Sequence, residues 1–242
     1  MSWPLPAEPA DRLALAFGYP YAVPEESYLL RNGRAVALPA NTNFAGRIAV
    51  LAHGSNRSPE QLARKFPNGE IPVTHGTLRD HTVVYAACLT RYGACPSLLH
   101  HLPGASARLS ITWLTPQQLQ FMHRTEGAYG FGRLHADFEV EAGVQPQELH
   151  LYHGRPGCLT IGADAVALHA ITQDAGHLPT LSQRDALTHI HGIWGSGDSL
   201  ESFVLAMIDA TDERHRLRAR LEGSAVSNPL PGFQGLVPEA LD

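Results

Sequence analysis

The sequence predicts an α+β fold in which a mixed or antiparallel sheet is combined with short helices. Segments rich in β-branched and aromatic residues come early and follow one another like hairpins, and the helical segments are short. Strands and long helices do not alternate regularly, as a doubly wound parallel sheet would require. With 242 residues, of which 44% are hydrophobic, the chain can form one large domain or one domain with extensions.

We divide the chain into an N-terminal extension over 1–45, a main domain over 46–223 and an extended tail over 224–242 that is rich in proline and glycine. Prolines at positions 4, 6, 9, 20 and 24 interrupt the extension, so we expect no long regular element there. Within it, Asn32 and Gly33 separate two short apolar runs and supply the positive φ angles of a tight turn. This pattern predicts a β-hairpin.

The main domain opens with an apolar run over 47–52, which predicts a buried strand. A turn over 53–56 follows, and then Ser58 caps a helix in which Gln61 completes a capping box. Such a turn exposes backbone N–H groups beside a helix N-terminus, which favours an anion or a developing oxyanion. An ordinary tight connection is the simpler interpretation of the turn when only these residues are considered.

A second helix begins at Thr115 with the same capping pattern, in which Gln118 is the partner, and we expect it to stop at Gly127. Glu126 then lies at the end of this helix. There it faces the negative end of the helix dipole, which makes a carboxylate a better base. The alternative is a solvated helix end. The remaining patterns predict strands over 81–87, 107–113, 133–140 and 148–153 and helices over 182–190 and 198–222.

The order of these pieces resembles the gamma-glutamylcyclotransferase-like family. His-Gly-Ser-Asn at 53–56 is similar to the Tyr-Gly-Ser-Asn loop that follows the family's first strand. The segments 76–80 and 92–97 resemble its Gly-x-Leu-x-Asp motif and its mid-domain glycine loop, and 124–129 resembles the segment around its catalytic glutamate. The resemblance covers roughly residues 47–155. It departs from the family at His53, which replaces Tyr, at His123, which replaces Asp, and at Tyr129, which comes one residue early.

This resemblance implies a mixed sheet or barrel and an acyltransferase or lyase of glutathione metabolism. The substrate's α-amino group would attack its own γ-glutamyl carbonyl, which gives 5-oxoproline and a free amine or amino acid. No metal or cofactor is needed. Glu126 would be the catalytic residue, and the substrate-binding residues would be His53, Gly54, Ser55, Asn56 and Tyr129. The substrate stays open among γ-glutamyl amino acids, glutathione, a γ-glutamylamine and an antibiotic intermediate.

Other classes of function fit the sequence less well. A non-catalytic small-molecule-binding protein of the same fold would use the turn over 53–56 as an anion site. An α/β-hydrolase esterase also places His-Gly at a strand end, but the chain has no Gly-x-Ser-x-Gly. The 14 histidines form no His-Glu-x-x-His motif and no Cys/His finger, although 189 and 191 could converge on a metal in a strand.

Composition limits the partners and the location that we expect. A net charge of −5 and a pI near 6.3 argue against nucleic acid, and no apolar run approaches the roughly 20 residues that span a bilayer. Cys88, Cys95 and Cys158 lack Cys-x-x-Cys spacing and read as reduced thiols. Since the N-terminus also lacks a signal peptide, we expect a cytoplasmic protein. The regions outside the resemblance could close the pocket or form a homo-oligomer interface.

Overall fold

The structure is a computed structural model that describes residues 3–126 and 129–236. It has an α+β fold, as predicted, with one large mixed sheet and short helices. The helices in the described ranges are α1 Pro9–Gly18, α2 Pro59–Lys65, α3 Pro116–Thr125, α4 Gln183–Trp194, α5 Leu200–Asp209 and α6 Thr211–Glu222. The strands are β1 Tyr28–Arg31, β2 Arg34–Ala37, β3 Ile48–Ala52, β4 Glu70–Tyr85, β5 Ser97–Leu114, β6 Tyr129–Leu134, β7 Phe138–Val140, β8 His150–Gly154, β9 Thr160–Ile161, β10 Asp164–Ala165, β11 Ala167–Leu168, β12 Gln173–Asp174, β13 Thr180–Leu181 and β14 Phe233–Gly235.

The main sheet has 12 strands, in the order β13-β11-β4-β5-β3-β8-β6-β14, with β1 and β7 paired to β4, β2 to β1 and β12 to β5. Most neighbours are antiparallel, whereas β3 with β8 and β11 with β13 are parallel. The barrel that the family resemblance allowed is wrong, because the two outer strands do not pair with each other within the described ranges. Both are only two or three residues long, and a closed barrel would need hydrogen bonds between them.

The long hairpin of β4 and β5 is the centre of the sheet. The strands predicted over 81–87 and 107–113 lie in it almost entirely, but the prediction was too short because glycine normally weakens a strand. Gly76 lies inside β4 for a packing reason, since a Cβ there would come within 2.6 Å of the Phe138 ring. Asp80 has a φ of 55° where the register shifts, so the strand continues through an irregularity.

The N-terminal region is more ordered than its prolines suggest. The hairpin predicted around Asn32 and Gly33 is confirmed, with Leu30 opposite Ala35, and its first strand adds to the main sheet beside β4. The expectation of no long regular element was wrong, because α1 forms between the prolines. Pro9 starts this helix, at a position where the missing N–H is not needed. The helix packs against α4 and α5, so this segment joins the rest of the fold.

The C-terminal half contains three helices in the described ranges. The helix predicted over 182–190 is confirmed and extends further, because Ser182 caps its start and Gly195, with a φ of 77°, closes its end. The single helix predicted over 198–222 is wrong, since Ala210 is extended (φ −112°, ψ 98°) and separates α5 from α6. The predicted tail forms β14 beside β6, and its last six residues, 237–242, lie outside the described ranges. Of the described helices, none combines the length and apolar character that crossing a membrane requires.

The strand predicted over 133–140 is wrong in extent, because it falls into two separate strands. The structure ends β6 at Leu134 and begins β7 at Phe138. The N–H of His135 in the gap donates to the carbonyl of Gly232, and β7 turns away to pair with β4. The strand predicted over 148–153 is confirmed as β8, which begins two residues later and ends one residue later than predicted.

Candidate active site

A cavity of about 340 Å³ opens where the end of β3, the start of β6 and the two helices α2 and α3 meet. We call it the front cavity. All six residues predicted from the sequence line it, namely His53, Gly54, Ser55, Asn56, Glu126 and Tyr129. Its other lining residues include Trp3, Tyr19, Lys65, Arg91, Tyr92, Ser97, Met122, Arg124 and Tyr152. Asn56 and Glu126, which are 70 positions apart in the chain, therefore line the same cavity.

The turn after β3 is built by local hydrogen bonds. Ser55–Arg57 forms one turn of 3-10 helix, and the N–H of Ser58 donates to the Ser55 carbonyl over 2.9 Å. The Ser58 hydroxyl then caps α2 by accepting from the Glu60 N–H at 3.3 Å. The capping box predicted with Gln61 does not form, because the 3-10 turn already uses the Ser58 N–H and the Gln61 side chain accepts from Arg64.

The backbone N–H groups of Gly54, Ser55 and Asn56 donate no hydrogen bond to any group in the part of the chain that the structure describes. They are available to a carboxylate or an oxyanion in the front cavity. Glycine is required at position 54, because a Cβ there would overlap the Tyr19 hydroxyl and the Ser97 Oγ. The close approach of these two side chains fixes the backbone of the turn.

Glu126 is the residue that ends α3. The capping box predicted at the start of this helix is confirmed, with Thr115 and Gln118 bonded reciprocally at 3.2 and 2.9 Å. At its end the backbone of Glu126 leaves the helical conformation (φ −110°, ψ 29°). The predicted stop at Gly127 lies outside the described residues. The Glu126 side chain is 13% exposed, so the helix end is not a solvated one.

A buried lysine, which sequence reasoning missed, holds the Glu126 carboxylate. Lys65 Nζ lies 2.6 Å from Glu126 Oε1, and its side chain is 4% exposed. It also donates to Asn56 Oδ1 at 2.9 Å, while Asn56 Nδ2 donates to Glu126 Oε1 at 3.0 Å. The triangle of Lys65, Asn56 and Glu126 joins the turn to the helix end. Glu126 Oε2 accepts no hydrogen bond within the described ranges, so one carboxylate oxygen of this cavity-lining residue is held and the other is available to a ligand.

His53 anchors the turn to the sheet. Its Nδ1 lies 3.1 Å from Ser97 Oγ, and its Nε2 lies 3.4 Å from the Tyr152 carbonyl oxygen. Tyr19 donates to the same Ser97 Oγ at 2.8 Å. The carbonyl requires Nε2 to carry the proton, which leaves Nδ1 to accept from Ser97. Burial lowers the pKa of His53 to about 4, so the ring is neutral at physiological pH. Both ring nitrogens are used inside the protein, and His53 therefore positions the turn.

Tyrosines form a polar wall of the front cavity. The N–H of Tyr129 donates to the Glu126 carbonyl at 2.9 Å, and burial raises the pKa of its phenol well above the usual range. Burial also raises the pKa of Tyr92 to about 12. The Tyr152 hydroxyl lies 2.8 Å from His123 Nδ1. These phenols stay protonated at neutral pH. Each can therefore donate a hydrogen bond to a ligand or to a neighbouring side chain.

The N-terminal segment supplies one side of the cavity mouth. Trp3 lies 5.7 Å from the Tyr92 ring, measured between ring centroids. The Arg91 guanidinium stacks 4.5 Å above the Trp3 ring and donates to its carbonyl oxygen, and Arg64 lies 5.4 Å from the same ring. Cation–π contacts of this kind hold an aromatic side chain in place. The predicted extension thus contributes Trp3, along with Tyr19, to the front cavity.

The residues that sequence reasoning missed are those whose partners are distant in the chain. Lys65 had a usable signal, because it shares the inward face of α2 with Leu62 and Gln61 at helical spacing, and all three are buried. Trp3 and Tyr19 had none, since nothing local indicates which surface an N-terminal segment will cover.

The histidines do not assemble a metal site among the described residues, where no group of three or more His, Cys, Asp or Glu side chains could hold an ion. The alternative in which His189 and His191 converge in a strand is wrong, because both lie on α4. Residues two apart on a helix point about 200° apart. Their ring nitrogens lie instead beside the Thr160 carbonyl and the Ser196 hydroxyl.

No protein-family model matches this chain, and a search of curated proteins finds no relative.

Proposed function

We propose that this chain is a gamma-glutamylcyclotransferase-like enzyme that cyclises a γ-glutamyl compound to 5-oxoproline and releases an amine or amino acid. The observation that carries the proposal is the geometry of Glu126. Its carboxylate faces the same cavity as the backbone N–H groups of Gly54, Ser55 and Asn56, and Asn56 ties the two parts together at 3.0 Å. Base and anion site thus have a fixed relative position, as intramolecular acyl transfer requires.

The proposed reaction needs one base and one oxyanion site. Glu126 Oε2 accepts a proton from the substrate's α-ammonium group, and the freed amine attacks the γ-carbonyl carbon. The N–H groups of the 54–56 turn bind the oxyanion that forms. When the tetrahedral intermediate collapses, the bond from the γ-carbon to the leaving nitrogen breaks, and Glu126 returns the first proton to that nitrogen. The attacking nitrogen gives up its second proton to Glu126 in turn, and this proton passes to the released amine, which leaves as an ammonium ion. The nucleophile is part of the substrate, so the protein only folds it and moves these two protons.

The charge of the cavity supports a substrate with carboxylates. Lys65, Arg91 and Arg124 line it, and Glu126 is the single acidic side chain that lines it among the residues described. Lys65 neutralises Glu126, which leaves two guanidinium groups near the mouth. A γ-glutamyl amino acid has two carboxylates, whereas a γ-glutamylamine has one. We therefore expect γ-glutamyl amino acids to be better substrates than γ-glutamylamines.

A Ser–His esterase is disfavoured because a substrate cannot reach the serine hydroxyl. Ser97 and His53 do form a hydrogen-bonded pair beside the turn. However, Ser97 is only 2% exposed, and its hydroxyl is covered by Tyr19 and Gly54. A nucleophile must reach the reacting carbonyl, and this hydroxyl does not. The lowered pKa of His53 also makes its ring a weak base.

The second candidate is a non-catalytic binding protein that uses the same cavity. One observation favours it, namely that the Lys65–Glu126 ion pair has the short distance and low exposure of a structural contact. In that case the ligand would be a small carboxylate bound by the turn and by the two arginines, without turnover.

One experiment separates the two candidates. The chain is incubated with γ-glutamyl dipeptides, γ-glutamylamines and glutathione, and 5-oxoproline is measured by mass spectrometry. Because removing the base and proton shuttle should cost roughly 10²–10⁴-fold in rate, we expect Glu126→Gln to lose at least 10²-fold. The matched control, Glu70→Gln, removes an exposed carboxylate that pairs with Arg31 and should leave the rate unchanged.

Glutamine at 126 still accepts from Lys65, and thermal melting checks that the variant folds. A wild-type rate in Glu126→Gln would contradict the assigned base. If the wild type binds these compounds in calorimetry but releases no 5-oxoproline, the second candidate is correct, and the chain is a binding protein without turnover.

A further inference from the structure

Arg57 is buried on the side of the turn that faces away from Glu126. The residue is 5% exposed, although an arginine is almost never this buried without a partner. Its Nε lies 3.4 Å from Ser110 Oγ, and neither terminal nitrogen donates a hydrogen bond within the described ranges. No carboxylate there forms an ion pair with it, and the charged side chain that most affects its pKa is the cation Arg108, which lowers that pKa.

This guanidinium lines a second cavity of about 850 Å³, which we call the rear cavity. The segment Gly18–Glu26 forms one wall, and the opposite wall consists of Arg57, Arg108, Glu141, Ala170 and Thr172. Tyr19 lines both cavities and separates them. The rear cavity is distinct from the front cavity because Glu126, Lys65 and the 54–56 turn do not line it.

The charges around the rear cavity define the ligand that fits it. Arg108 is already satisfied, because it forms two hydrogen bonds with the Glu141 carboxylate, at 2.5 and 2.6 Å, and one with the Glu25 carbonyl. Arg57 is therefore left as the uncompensated charge. The exposed side chains of Glu25 and Glu26 stand at the rim, where they would repel a multiply charged anion and attract an ammonium group.

We propose that the rear cavity binds a small carboxylate of the amino-acid class, with its carboxylate on the Arg57 guanidinium and its ammonium group toward Glu25 and Glu26. A guanidinium presents two parallel N–H donors that match a carboxylate. Burial and Arg108 lower the pKa of Arg57 to about 10, so it is still charged at neutral pH. A bound carboxylate supplies the counter-charge that the described part of the chain lacks.

The test is calorimetric binding of L-alanine, acetate and inorganic phosphate to the full chain. We expect L-alanine to bind the wild type more tightly than acetate does. Arg57→Gln should weaken its binding roughly 10- to 100-fold, because a hydrogen bond to a charged group is lost. Arg218→Gln is the matched control, since it removes an exposed guanidinium that lines neither cavity, and we expect less than about a two-fold change. Arg91→Gln tests the front cavity as the alternative site of binding.

Three results would overturn the proposal. They are no binding of L-alanine at millimolar concentration, loss of binding in Arg91→Gln but not in Arg57→Gln, and Arg57-dependent binding of phosphate in preference to the carboxylates. If Arg57→Gln does not fold, Arg57→Met replaces it. If neither folds, a crystal structure of the wild type with L-alanine decides by whether the carboxylate contacts Arg57. Binding is measured without turnover, so the result does not depend on the proposed function.

Discussion

Buried basic side chains lie on both faces of the turn that follows β3, and the two faces differ in whether the protein compensates their charge. His53, Arg57 and Lys65 lie within 13 residues, and each is at most 7% exposed. On the face toward Glu126, Lys65 is paired with a carboxylate and His53 is neutral. On the other face, Arg57 has no acidic partner among the described residues. The front face therefore has its charges balanced by the protein, and the rear face does not.

This difference separates the cation that the protein itself compensates from the one for which we propose a ligand. Transferring a charge out of water is unfavourable by several kcal/mol unless a partner compensates. Lys65 and Glu126 compensate each other, so neither is left as an unpaired buried charge, and their pairing orients the proposed base. An uncompensated Arg57 destabilises the fold, and a residue of this kind is typical of a binding site.

Removing one cation from each face gives the largest expected effect. Lys65→Met leaves Glu126 buried beside a thioether, and we expect the free energy of unfolding to fall by about 4 kcal/mol. Arg57→Met removes a charge without leaving a carboxylate unpaired, so we expect no loss, or a gain of about 1 kcal/mol. Methionine is close to both side chains in length, and urea unfolding at pH 7 measures both variants.

The double variant Lys65→Met/Glu126→Leu is the control for the front pair. It removes both charges and should recover part of the stability that Lys65→Met loses. Equal losses in Lys65→Met and Arg57→Met would show that the two faces do not differ, and the comparison would then be incorrect.

The features predicted correctly from the sequence depend on residues that are close in the chain. The hairpin at Asn32 and Gly33, the capping box at Thr115 and the strand before the turn each need only a few neighbours. The Lys65–Glu126 pair joins residues 61 positions apart, and the Arg91–Trp3 contact joins residues 88 positions apart. Such contacts depend on how the sheet brings elements together.

The errors in the predicted fold have a similar origin. The prolines of the extension predict that no long regular element forms there, although Pro9 suits the first turn of α1. The helical spacing of apolar residues over 200–208 was extended to 222, although the backbone leaves the helix at Ala210. The rear cavity was not predicted at all. Its walls come from Gly18–Glu26, the 3-10 turn and β5, and only the folded chain places them together.

The second prediction concerns stability and rests on the close packing around Gly54 in the turn. Gly54→Ala places a methyl group against the Tyr19 hydroxyl and the Ser97 Oγ. Since the backbone must shift to admit it, we expect a loss of up to about 3 kcal/mol in the free energy of unfolding. Tyr19→Phe/Gly54→Ala removes one of the two overlapping atoms and should recover part of the loss.

The control for this prediction is Gly192→Ala, which lies on α4 with nothing within 4 Å of the added Cβ. Alanine in a helix is favoured over glycine, so this variant should gain about 0.5–1 kcal/mol. If Gly54→Ala were as stable as the wild type, the turn would be free to move, and the fixed geometry that the proposed oxyanion site needs would be absent.

The smallest effect concerns how His53 stays neutral. Its pKa is about 4 in the folded protein and near 6.5 in the unfolded chain. Because the unfolded chain takes up the proton first as the pH falls, the contribution of His53 to stability is present above about pH 6.5 and is lost toward pH 4. Between pH 7 and pH 5 this loss is about 2 kcal/mol. Other histidines with lowered pKa values add to the loss in the wild type, namely His75, His81, His123, His150 and His153.

The contribution of His53 is therefore measured as a difference. His53→Gln keeps an acceptor for Ser97 and a donor for the Tyr152 carbonyl but does not titrate. Urea unfolding at pH 7 and pH 5 should show a loss that is about 2 kcal/mol smaller in His53→Gln than in the wild type. The exposed His177 is the matched position, and His177→Gln should lose as much as the wild type. If His53→Gln and the wild type had the same pH dependence, His53 would take up its proton equally in both states. Below about pH 6.5 the front face would then hold a second cation besides Lys65, and its difference from the rear face would be smaller than the burial of these side chains indicates.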